Sequence, residues 1–69
     1  MTPHRTIYVV DRRPRYDLSY AVNTVNTAPN EAEAIIKARE WATKSGVAYY
    51  VHKLAATDTT WQRIAMVTP

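Results

Sequence analysis

The chain has 69 residues, 46% hydrophobic and 22% charged, with nine lysines and arginines against six acidic residues, a net charge of +3 and no cysteine. That length fits one domain, residues 1–69, whose core is thin, because a chain of this size buries only about 60% of the surface it exposes when unfolded. A deep substrate pocket is therefore disfavoured, disulfides, thiolate metal sites and thiol nucleophiles are excluded, and a reducing, cytoplasmic setting is expected.

Arg5 to Val10 is rich in β-branched and aromatic residues and predicts a first strand. Asp11-Arg12-Arg13-Pro14-Arg15 breaks it, since proline offers no N–H to a ladder and fixes its own φ. In Leu18-Ser19-Tyr20-Ala21-Val22 the larger apolar residues alternate, which predicts a second strand and a hairpin with the arginines at its tip. A helix is expected from Asn30 to Ser45, capped by Thr27 or Asn30, with Pro29 near its start, Glu31 and Glu33 at its positive end and Gly46 at its terminus. On a helical wheel Ala32, Ile35, Ala38 and Ala42 form the apolar stripe, flanked by Ile36 and Trp41, with Glu33, Lys37, Glu40 and Lys44 opposite.

Val47 to Leu54 predicts a third strand, Thr57 to Thr60 a polar turn, and Trp61 to Val67 a fourth strand. The element order ββαββ gives an α+β fold: a four-stranded antiparallel sheet in the order 2-1-3-4 with one helix packed on one face. A single helix covers only one side of such a sheet. With Ile7, Val9, Tyr49 and Val51 turned to the helix, the other side shows Tyr8, Val10, Tyr50, His52 and Leu54, an apolar face that suits a partner or a homodimer.

Catalytic motifs are missing. The histidines are His4 and His52 and the serines Ser19 and Ser45, without a nucleophile elbow, and one glycine excludes a glycine-rich phosphate loop. The helix carboxylates pair naturally with lysines, two separate histidines do not make a metal site, and His52 beside Lys53 reads as a surface residue. Neither a catalytic residue, a metal nor a cofactor is expected. No apolar run approaches the ~20 residues of a membrane span, and Met1–Arg5 shows no signal-peptide pattern, so no membrane partner is expected.

The positive charge gathers near the N-terminus, in Arg5, Arg12, Arg13 and Arg15. Arginine engages carboxylates through a planar fork and is favoured in protein interfaces. Interleaved with tyrosines, the same residues also suit phosphates and bases. A protein partner is the leading expectation and a nucleic acid the alternative, because a net charge of +3 is low for a nucleic-acid binder of this size.

Glu31-Ala32 opening an alanine-rich helix that contains Ile35, then Gly46 and a strand from Val47 to Leu54, resembles small accessory proteins encoded by bacteriophages, among them the short phage inhibitors of bacterial RNA polymerase. The resemblance implies a non-enzymatic protein that binds and modulates or inhibits a host protein complex in the host cytoplasm. It also implies a contact through basic residues of the strand after the helix, here Lys53 with His52. The candidate partner-binding residues are thus Arg12, Arg13, Arg15, Tyr8, Tyr50, His52 and Lys53.

Overall fold

The computed structural model describes residues 6–20 and 22–69; His4, Arg5 and Ala21 lie outside the described residues. The elements are β1 (Ile7–Asp11), β2 (Thr27–Ala28), α1 (Glu31–Ser45), β3 (Tyr49–Leu54) and β4 (Gln62–Val67). They form the expected ββαββ fold, a four-stranded sheet in the order β2-β1-β3-β4 with every neighbouring pair antiparallel and the helix against it.

The helix starts where Asn30 takes extended backbone angles and its side chain accepts the Glu33 N–H at 2.9 Å. It stops where Gly46 adopts φ 73° and donates its N–H to the Ala42 carbonyl at 2.8 Å, a left-handed conformation that glycine reaches without a Cβ penalty. Its buried stripe is Ala34, Ala38 and Ala42, all fully buried, with Ile35 and Trp41 at the flanks. Ala32 is exposed and Ile36 is 54% exposed, so the stripe is rotated from the one expected. Three alanines at i, i+4 and i+8 let the helix axis lie close to Val10, Val51 and Val67 of the sheet, which an isoleucine at their centre would prevent.

Two expectations are corrected. Leu18–Val22 is not the second strand. The Asp17 carboxylate accepts the Ser19 N–H at 2.8 Å and the Tyr20 N–H reaches the Asp17 carbonyl at 3.0 Å, curling residues 17–20 into a turn. Local side-chain bonding of this kind competes directly with a ladder. A second turn follows, in which Asn23 accepts the Val25 and Asn26 N–H groups. Pairing with β1 begins only at Asn26, whose carbonyl accepts the Val10 N–H at 2.8 Å, and continues through Thr27 and Ala28.

The faces of β1 are also exchanged. Val10 lies opposite Val51 and Tyr8 opposite Lys53, and directly paired residues share a face. Val10 and Tyr8 therefore join Tyr49 and Val51 on the helix side, while Ile7 and Val9 take the far side with Leu54 and His52. In β4 a register irregularity opposite Val51 and His52 places both Ile64 and Ala65 against the helix-side core, with Arg63 paired to His52 on the far side.

The alanine stripe yields a direct contrast. Ala38→Leu is expected to lower stability by about 1–3 kcal/mol through overpacking, and Ile36→Ala to leave it within about 0.5 kcal/mol, as read from urea unfolding midpoints. Equal effects would contradict the rotated stripe.

Candidate functional site

The far side of the sheet is not open. The segment after β1 folds back across it, and Tyr16, 7% exposed, is its anchor. The Tyr16 ring stacks on the His52 imidazole with centroids 5.4 Å apart and meets Trp61 and Tyr20 edge-on at 5.0 and 5.2 Å. His52 Nε2 donates to the Arg13 carbonyl at 2.8 Å, tying the loop backbone to the strand 39 residues later. Val9, on the same side as His52 by register, is fully buried. Asp11 steadies the loop's first turn by accepting the Arg13 N–H at 2.9 Å. At its other end Lys37 donates to the Val25 and Thr27 carbonyls at 3.1 and 2.8 Å, fastening the segment to the helix.

The predicted site residues thus separate into three groups. Tyr8 packs in the helix-side core, and Lys53, its register partner, shares that side, away from the loop. His52, expected at the surface, is 1% exposed because Tyr16 and the Arg13 backbone enclose it. Its enclosed side chain ties the loop to the strand. The homodimer expectation rested on an open face, and the chain's own loop occupies that face. Tyr50 is half-buried, stacked beside His52 at 6.4 Å, with the Arg63 guanidinium 5.5 Å from its ring centroid.

The exposed residues are the arginines. Arg12 donates from Nε to the Tyr49 hydroxyl at 3.1 Å, and the Arg13 guanidinium lies 4.3 Å from the Tyr20 ring centroid. Arg63, which the sequence reading missed, donates from Nη1 to the Pro14 carbonyl at 3.4 Å and so joins the loop. Rings and neutral oxygens hold these guanidinia in place. Arg15 and Arg63 line an open groove of about 650 Å³ with Pro14, Tyr16, Leu18 and Trp61 on its walls. Arg12 and Arg13 line a second depression of about 510 Å³ near Trp41 and Tyr49. The signal for Arg63 was the polar turn before β4: zipping β3 to β4 back from it sets Arg63 beside His52.

Among the described residues no group of three or more histidine, cysteine or acidic side chains could hold a metal ion, and no helix is long and apolar enough to cross a membrane. No protein-family model matches the chain, and no curated protein and no solved structure matches it significantly.

Burial pushes the His52 pKa below its ordinary value, and Arg63 pushes the same way, against the opposing pull of the Arg13 carbonyl and Asp11. Below about pH 6.5 the unfolded chain therefore binds a proton here before the folded chain does. The stability this group contributes is complete above that pH and is lost as pH falls toward the folded-state value. Thermal unfolding of the wild type is expected at lower temperature at pH 5.5 than at pH 7.5. His52→Gln, which keeps a donor for the Arg13 carbonyl, should lose most of that difference. An unchanged pH profile in the variant would contradict a buried, neutral His52.

Proposed function

We propose that the chain is a non-catalytic binding protein that docks the arginine-loop side of its sheet onto an acidic surface of a protein partner. In the setting that the resemblance to phage accessory proteins implies, that partner is a bacterial host complex, which the docking modulates or inhibits. The observation that carries this reading is the anchoring of the loop. Tyr16 and the His52 bond hold residues 12–20 on the sheet before any partner arrives. Arg12, Arg13 and Arg15 are exposed along this loop and Arg63 flanks it. A surface ordered in advance binds with a smaller entropic loss. Arginine and tyrosine are enriched in such interfaces, and Leu18, 58% exposed, supplies an apolar neighbour.

Protein is favoured over nucleic acid as partner by the acids set among the arginines. Asp17 sits inside the loop, and its carboxyl is held below its ordinary pKa by the Ser19 backbone and side chain, so it stays ionised. A fixed anion amid the cations opposes a continuous phosphate backbone but suits a protein surface that mixes charge signs.

The test is the triple variant Arg12→Glu, Arg13→Glu, Arg15→Glu, compared with the wild type in affinity capture from nuclease-treated bacterial lysate. The variant should keep the wild-type circular dichroism spectrum and lose, by about tenfold or more, a host protein that the wild type enriches. Equal capture by both would remove the loop from the interface. Binding that needs intact nucleic acid and falls steeply with salt would transfer the surface to a nucleic-acid partner.

A further inference from the structure

The groove between the loop and β4 brings two arginines, an aspartate and aromatic rings together. It is lined by Pro14, Arg15, Tyr16, Asp17 and Leu18 of the loop and by Thr60, Trp61 and Arg63 around the start of β4. His52 also lines it, and the Tyr16–Trp61 contact at 5.0 Å joins the loop to the residue before β4. At about 650 Å³ it falls within the roughly 300–1,000 Å³ typical of sites that enclose a small ligand or a few residues. Its walls combine two guanidinia with an indole and an exposed leucine.

We infer that this groove is a recognition site for a short, extended acidic peptide segment, one that alternates carboxylate and apolar side chains. The inference deepens the proposed protein docking and rests on it. Four features of the groove select this occupant. Arg15 of the loop and Arg63 of β4 both line the groove, and each can offer a planar fork to a carboxylate. Arg63 is steadied by the Tyr50 ring and the Pro14 carbonyl, which keep its guanidinium in place without neutralising it. Leu18 and Trp61 line the same groove and suit the apolar side chains of such a segment. Asp17, ionised on the loop wall, repels an unbroken run of phosphates but leaves room for the neutral backbone and spaced charges of a peptide.

Trp61 makes the groove directly observable. In a Trp41→Phe background, where Trp61 is the remaining tryptophan, its emission is followed during titration with a capped Asp-Leu-Glu-Leu-Asp peptide. The Asn-Leu-Gln-Leu-Asn counterpart and a ten-nucleotide oligothymidylate serve as comparisons. The acidic peptide is expected to shift the emission saturably. The double variant Arg15→Gln, Arg63→Gln should weaken it by roughly tenfold or more, since each loses a charge-assisted bond. Arg39→Gln, an exposed helix cation that does not line the groove, should leave the affinity within about twofold. Circular dichroism on each variant confirms that the fold is kept. Equal binding of the amide peptide, preferential binding of the oligonucleotide, or indifference to Arg15→Gln with Arg63→Gln would each overturn the assignment. Arg63→Gln separates this inference from the wider reading, because Arg63 lies outside the loop triple. If host-protein capture depends on the triple but the peptide does not bind, the groove assignment fails and the docking surface stands.

Discussion

The contact between Tyr16 and His52 decides what the rest of this molecule presents to solvent. A sheet of four short strands with one helix has two faces and a cover for one of them. Without the Tyr16 ring, Val9 and His52 would lie on a wet surface, and a buried imidazole would have no neighbour to exclude water. With it, the sheet has a second, miniature core of Val9, Tyr16, His52 and Trp61. The Arg13 carbonyl completes the arrangement by accepting from Nε2, so the neutral ring has a partner in its enclosed site. Because Tyr16 directly follows the arginine run, the same contact that covers the sheet also holds Arg12, Arg13 and Arg15 at the surface.

The helix side follows a different rule. There the cover is regular, and close approach comes from small residues. Ala34, Ala38 and Ala42 contribute little area each, but they allow Val10, Val51 and Val67 to meet the helix backbone closely. The larger rings stand at the margin: Trp41 meets Tyr49 edge-on at 5.6 Å, and Lys37 lies 5.5 Å from the Trp41 ring centroid. Lys37 connects the two layers, since its ammonium also reaches the Val25 and Thr27 carbonyls where the loop rejoins the sheet. The loop is therefore fastened at its centre by stacking and at its exit by a cation, a geometry suited to display and unsuited to large movement.

The helix and the strand order were legible because their signals are local and agree with one another. Asn30, the early glutamates and Gly46 fix the helix ends, and the antiparallel sheet order follows from the succession of elements. The placement of β2 was not legible, because Leu18, Tyr20 and Val22 alternate as a strand would, while Asp17 and Asn23 bind nearby backbone groups and bend the chain instead. The faces of β1 were hidden for another reason. Ile7, Tyr8, Val9 and Val10 are all apolar, so alternation carries no information there, and only the pairing of Val10 with Val51 separates them. The arginine loop was visible as charge, whereas Arg63 and the groove depend on pairing between distant strands. His52 was misread because a polar residue in a strand is usually exposed, and its cover lies 36 positions earlier in Tyr16.

Proton NMR of the wild-type chain near pH 7.5 shows whether Tyr16 seals the far face of the sheet over His52. Nuclear Overhauser contacts are expected from the Tyr16 ring protons to the His52 and Trp61 rings, with the His52 ring protons moved upfield by the stacked tyrosine. A Tyr16 ring with random-coil shifts and no contact to His52 would contradict that seal, and would return the far face of the sheet to solvent.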